Sequence, residues 1–180
     1  MARRDSSPRR YAEAAYEIAL RDGTIDEWKA GLEEAAAALE LGELRQVLAN
    51  PALALQQRLA IADDVYARLP GPVRNLALLM VRRRRIEQLP RVAAEFRRLD
   101  DRRNNISHAI ATSAIPLEDA EVRAITARLE QMTGGRVALE TSVDPGLLGG
   151  IVVRIGDRLI DGSVRGRLER LRNQLASGAL

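Results

Sequence analysis

From Tyr11 to about Leu99 apolar residues recur every third or fourth position, and beyond Asn104 the period shortens to two. The opening block "YAEAAYEIAL" predicts a helix from Pro8 to about Arg21, closed by Asp22–Gly23. Thr24, with Glu27 three residues on, has the form of a capping box for a second helix. That helix directs Trp28, Leu32, Ala35, Ala36 and Leu39 inward and ends at Gly42. A short third helix, "ELRQVLAN", must stop before Pro51, because the residue ahead of a proline resists the helical region. A fourth, "ALQQRLAIADDVYARL", runs into "PGP", where Pro72 suits the first turn of a fifth helix, and Pro90 suits that of a sixth.

After "DDRRNN" the pattern changes. "ISHAIATSAI" alternates and is β-branched, which predicts a strand. "PLEDAEVRAITARLEQMTGG" predicts a helix with Val122, Ile125, Leu129 and Met132 on one face, and "RVALETSV" alternates again. Two short apolar runs around Gly156–Asp157 predict a hairpin with glycine first in its turn, placing Ile151, Val153, Ile155 and Ile160 on one face. Asp161 or Ser163 then caps a last helix with the stripe Val164, Leu168, Leu171 and Leu175. The expected fold is mostly α: a six-helix bundle over residues 1–104, then a small α+β domain over 105–180 in the order strand, helix, strand, hairpin, helix.

Two helices carry more apolar surface than one core contact requires. In the first, Tyr11, Ala12, Ala14, Ala15, Tyr16, Ile18, Ala19 and Leu20 span an arc of roughly 240° at 100° per residue. In the fifth, Val73, Leu76, Ala77, Leu78, Leu79, Met80 and Val81 span roughly 260°. A surface helix needs a stripe only somewhat wider than about 100°. Either both helices are buried on every side, or a groove between them receives an amphipathic helix from another protein. The pattern alone leaves the two open.

Composition narrows the chemistry. The chain has 180 residues and no cysteine, so disulfide frameworks, zinc ribbons and thiol catalysis are excluded. Its 28 basic residues face 25 acidic ones, which is not the balance of a nucleic-acid-binding protein. No apolar run approaches the roughly 18 residues of a membrane span. The basic lead ahead of Glu13 is too short and too soon interrupted for a signal or transit peptide, so the mature protein is expected to begin near Met1. His108 is the one histidine and lacks the companions of a metal site. The adjacent pairs Glu33–Glu34, Asp63–Asp64 and Asp100–Asp101 diverge on a helix, and Ser107, Ser113 and Ser163 have no recognisable base. No cofactor and no catalysis are expected.

Glycine and arginine cluster in "LLGGIVVRIGDRLIDGSVRGRLERL", yet the spacing matches neither a dinucleotide fingerprint nor a nucleotide-triphosphate loop. Gly149 and Gly150 at a strand entrance, Gly156 in a turn and Gly166 in a helix are expected to serve backbone bends and close approach. The run Arg82–Arg85 is expected at the end of the fifth helix, where it complements the dipole. It is also the feature on which the competing reading, a basic helical nucleic-acid adaptor, would rest. No aromatic residues interleave it for base stacking.

Taken together, "GGIVVRIGDRLIDGSVRGRLERL", "YAEAAYEIAL" and "NLALLMVRRRRIEQLPRVAAEF" resemble the delta subunit of F-type ATP synthases, the bacterial relative of the oligomycin-sensitivity-conferring protein. "IDGSVRGRLERL" is the most specific part, and it marks Gly149, Gly150, Gly156, Asp161, Gly162, Ser163 and Gly166 as a structural signature. The resemblance implies a non-catalytic stator subunit, present once in a hetero-oligomeric complex. It would be peripheral on the cytoplasmic face of the cell membrane, coupling proton-driven rotation to ATP synthesis. Its first domain would grip N-terminal helices of the alpha subunits of the catalytic head through the first and fifth helices. Its second would join the b subunits of the peripheral stalk. The residues expected at the alpha-subunit interface are Tyr11, Ala14, Ala15 and Ile18, facing Asn75, Leu76, Leu79 and Arg82.

Overall fold

In the computed structural model residues 7–40 and 42–176 are described, and the expectation about the chain's start at Met1 lies outside them. Six α-helices precede the first strand: α1 Ser7–Asp22, α2 Ile25–Glu40, α3 Glu43–Ala49, α4 Leu55–Val65, α5 Gly71–Arg82 and α6 Leu89–Arg103. A single 3-10 turn, Ile86–Gln88, joins the last two. The remainder runs β1 Ile106–Ser113, α7 Asp119–Thr133, β2 Arg136–Val143, β3 Ile151–Ile155, β4 Arg158–Asp161 and α8 Val164–Ala176. The protein is therefore mostly helical, with a small four-stranded sheet towards its C-terminus. It divides into two compact units, Met1–Asp100 and Asp101–Leu180.

The helix boundaries follow local chemistry. Gly23, at φ 69°, closes α1, and Asn50 leaves α3 in extended backbone ahead of Pro51. Pro72 lies in the first turn of α5, where a missing N–H costs nothing. One buried cluster draws on every helix of the first unit. Ala12, Ala15 and Ala19 come from α1, Trp28, Leu32 and Leu39 from α2, and Leu48 and Ala62 from α3 and α4. Val73, Ala77, Met80 and Val81 come from α5, and Val92 and Phe96 from α6. Alanine at so many contact positions lets the helix axes approach closely. The one phenylalanine ties three helices together, stacked on Trp28 at 6.1 Å and edge-on to Tyr16 at 5.3 Å.

In the second unit the strand order is β2-β1-β3-β4. β1 pairs in parallel with β2 through the α7 crossover and antiparallel with β3, and the β3–β4 hairpin turns at Gly156–Asp157 as expected. Its core is small: Ala109, Ala111, Leu129, Val137 and Val153. The expected α7 stripe fades towards its end, where Met132 is 58% exposed in the last turn. Val153 and Ile160 are cross-strand partners, as the shared face requires.

The arginine run does not lie at the end of a helix as a block. α5 ends at Arg82, Arg83 is its C-cap, and Arg84 takes φ 55° to reverse the chain. The Arg85 N–H then donates to the Met80 carbonyl at 2.8 Å, closing the turn.

Candidate functional site

Neither α1 nor α5 is buried on every side. Each has one row inside the core and a second row in solvent. On α1, Ala12, Ala15 and Ala19 are buried, while Ala14, Ile18 and Leu20 are exposed. On α5, Val73, Ala77, Met80 and Val81 are buried, while Asn75 and Leu79 are exposed. Ala14 and Ile18 on α1 and Asn75 and Leu79 on α5 bound an open groove of about 900 Å³, whereas Leu20 is not part of its wall. α2 packs against both helices and contributes Trp28 to the lining.

Seen from the residues upward, the groove is a stripe on each wall. On α1 the lining residues Ser7, Tyr11, Ala14, Ala15 and Ile18 follow the three-and-four spacing of a helix face. On α5 the same spacing gives Pro72, Asn75, Leu76 and Leu79 and then Arg83. Arg82 is off the lining, because at 100° per residue it falls roughly 75° to one side of that row, whereas Arg83 continues it. The middle of the groove is mostly apolar, with Asn75 its polar exception, and its ends are charged. Arg85 donates a hydrogen bond to Ser7 Oγ, so the turn that follows α5 lies beside the start of α1. Arg10, Arg83 and Arg85 belong to that end. Arg21 and Asp22, at the far end of α1, pair with each other at 2.8 Å. Each holds the other's charged form: Asp22 lies below the usual carboxylate range, chiefly through the hydrogen bond from Arg21.

Sequence reasoning missed more than half of the lining, Arg10, Trp28, Arg83 and Arg85 among it. The α5 row, extended one step past Leu79, carries the signal for Arg83. Nothing in the pattern marks Trp28 or the back-folded Arg85.

A second exposed feature sits on α8. Val164, Leu168, Leu171 and Leu175 form the expected stripe, but it faces solvent, at 42%, 57%, 53% and 64% exposure. Leu148 and Leu159 are also exposed. Contiguous exposed apolar faces are common at interaction surfaces.

The glycine-rich segment forms a tight junction between β3, β4 and the start of α8. A Cβ on Gly150, at φ 81°, would stand 2.5 Å from the Gly162 carbonyl oxygen. Ser163 Oγ accepts from the Gly166 N–H at 3.0 Å and caps α8, and the Ser163 N–H donates to Asp161 Oδ1 at 2.8 Å. Hydrogen bonding from the Ser163 side chain, and then from its backbone N–H, holds the Asp161 carboxyl below its ordinary range. A Cβ on Gly149 would meet the Val164 side chain at 3.4 Å, whereas Gly156 has open space around it in its turn.

Several of the polar candidates for chemistry are engaged in structural contacts. His108 Nε2 lies 2.8 Å from Asp101 Oδ2, whereas Asp100 faces Tyr16 and Lys29. Asp63 pairs with Arg74 between α4 and α5, and Glu33 pairs with Arg97. Arg82, Arg83 and Arg85 do not form one stripe, since two of them turn to the groove and one does not. Among the described residues no helix is long and apolar enough to cross a membrane.

Comparison with known proteins agrees in one direction. The family model for the ATP synthase delta (OSCP) subunit matches residues 8–175. The chain is similar to ATP synthase subunit delta of Anaeromyxobacter sp. strain Fw109-5, with 39% identity over 94% of this chain and 97% of that one. It is also similar to ATP synthase subunit delta of Geobacter metallireducens, with 36% identity over 94% and 96%. Among solved structures, a chain of the Toxoplasma gondii mitochondrial ATP synthase hexamer superposes with a TM-score of 0.67 over 94% of this chain and 97% of that one. Its 24% identity makes this a likeness of fold.

Proposed function

The chain belongs to the ATP synthase delta (OSCP) subunit family, a non-catalytic subunit of the F-type enzyme. From that premise we propose that it is the stator link, with the six helices of its first unit acting as a bundle on the catalytic head. The groove between α1 and α5 receives an N-terminal helix of an alpha subunit, and the exposed α8 stripe meets the b subunits of the peripheral stalk. The protein then sits peripherally, on the cytoplasmic face of the membrane that anchors the stalk.

One observation supports the reading above others. Two helices with surplus apolar surface leave that surplus uncovered along one groove, and its wall includes Tyr11, Ala14, Ala15, Ile18, Asn75, Leu76 and Leu79. A guest of about 20 residues would run ~30 Å as a helix, enough to follow such a groove from end to end. The task is mechanical: rotor torque turns the head unless something holds it. A tether needs nanomolar affinity, about −12 kcal/mol, which an ordinary interface of roughly 1,600 Å² supplies.

The test is titration calorimetry of an alpha-subunit N-terminal peptide into the full chain and into Ala14→Asp. Ala14 is exposed, so the variant folds, and its carboxylate meets the apolar guest. Binding is expected to vanish. Unchanged heats in the variant would remove the groove from the account.

A further inference from the structure

The groove is not electrically symmetric. Arg10, Arg83 and Arg85 gather where α1 begins and α5 ends, and among the described residues neither Arg10 nor Arg83 has a carboxylate partner. At the other end Arg21 is neutralised by Asp22. The stretch between carries no charged side chain and is mostly apolar, with Asn75 its polar exception. An uncompensated cationic end on an otherwise greasy channel serves grip poorly, because desolvating it costs free energy unless an anion arrives with the guest. It serves direction well: a guest seated the wrong way round leaves those guanidinium groups unpaired and its own charges stranded.

We infer that the occupant is an amphipathic helix with acidic side chains at one end only, and that Arg10 and Arg83 read that end and fix the polarity of docking. This rests on the groove reading above and adds the partner's charge pattern and orientation to it. The two arginines are exposed and planar-headed, suited to bidentate carboxylate contacts. Arg85, held on Ser7, braces the turn that presents Arg83.

The one tryptophan, Trp28, lines the groove and reports its occupancy by fluorescence. A synthetic peptide of the first ~20 residues of the cognate alpha subunit is titrated into the full chain, Arg10→Glu/Arg83→Glu, Arg82→Glu/Arg84→Glu and Ala14→Asp. The expected result for Arg10→Glu/Arg83→Glu is binding about tenfold weaker at low salt, since two attractions become repulsions. The wild-type Kd should rise with salt and that of this variant should not. Arg82→Glu/Arg84→Glu makes the same charge change off the lining and should bind like wild type. Changing the peptide's acidic residues to amides should cost the wild type about the same tenfold and the Arg10→Glu/Arg83→Glu variant nothing. If Arg10→Glu/Arg83→Glu stays within a factor of about two of wild type while Ala14→Asp abolishes binding, the groove stands and the charge reading is overturned. A peptide without carboxylates that binds as tightly overturns it too. Failure of the wild type to bind at all removes the groove itself, and this inference with it.

Discussion

A Cβ placed on Gly166 would stand 2.6 Å from Oδ2 of Asp161, so the third residue of α8 is glycine because the carboxylate of β4 occupies the space. Asp161 cannot step aside freely, since it accepts the Ser163 N–H at the helix cap. Gly166→Ala therefore sets two effects against each other. Alanine is worth about 1 kcal/mol in a helix interior over glycine, but here it displaces the carboxylate and breaks the junction. We expect Gly166→Ala to destabilise α8 in the wild type and to stabilise it by about 1 kcal/mol when Asp161 is also alanine. Amide hydrogen exchange along α8 in the four members of the cycle reads the sign change. The same carboxylate gives a pH signature: its folded pKa is lowered, so its contribution is present above the ordinary value of 3.8 and is lost as pH falls through the folded value.

Tyr66 gives a second signature at the other end of the scale. Burial pushes its phenol up from 10 to about 12, and its hydroxyl has only a long 3.5 Å contact to the Ala35 carbonyl. The folded state holds the proton more tightly than the unfolded chain, so this stability is complete below pH 10 and is lost as pH rises towards 12. Two pH units correspond to about 2–3 kcal/mol. Urea unfolding of the first unit, followed by Trp28, should weaken by that order between pH 9 and 12. Tyr66→Phe should flatten the alkaline fall while costing no more than about 1 kcal/mol at neutral pH. An alkaline fall unchanged in Tyr66→Phe would assign it to another group.

Arg58 is 3% exposed on α4, yet its Nη1 reaches only the Leu48 carbonyl at 3.4 Å, and its Nε has no acceptor among the described residues. It covers the C-terminal turn of α3, where carbonyls lack helical partners. A buried charge so thinly satisfied is an expense that a hydrophobic side chain of similar length avoids. Arg58→Met is expected to leave denaturant stability within about 1 kcal/mol of wild type or to raise it, whereas Arg58→Ala should cost about 2–4 kcal/mol through the cavity. A loss in Arg58→Met as large as in Arg58→Ala would show that the guanidinium, not its stem, holds α3.

Much of this was legible in the sequence. Helix ends were marked by Gly23, Pro51 and Pro72, and the hairpin turn by Gly156, because these residues restrict or free the backbone locally, without reference to the rest of the fold. The apolar surplus on α1 and α5 was legible for the same reason: a helix face is a property of one segment. The arginine run was harder, since its disposition depends on Arg84 at φ 55° and on Arg85 bonding to a residue 78 positions away. Trp28 looked like a core residue, and it is buried; that it also lines the groove depends on how α2 seats beneath α1 and α5. The α8 stripe shows the opposite limit. Its period predicted a helix face correctly but could not say that the face would be left bare.

That bare face lets folding be separated from assembly. Val164, Leu168, Leu171 and Leu175 lie at spacings of four, three and four, the seam of a helix that packs along another helix. In the free chain each is more than two-fifths exposed, so none of them contributes a full core contact to its own unit. Substituting them should therefore change folding stability by no more than about 0.5 kcal/mol. If the stripe instead receives the stalk, the same substitutions remove apolar area from the assembled interface and leave a carboxylate buried against it. Leu168→Glu with Leu171→Glu should fold with the wild-type circular dichroism and thermal midpoint and still bind the alpha-subunit peptide. It should fail to co-purify with the soluble part of the b subunits. Retained co-purification would move the stalk contact elsewhere on the second unit, and loss of the fold would show that the stripe belongs to the core after all.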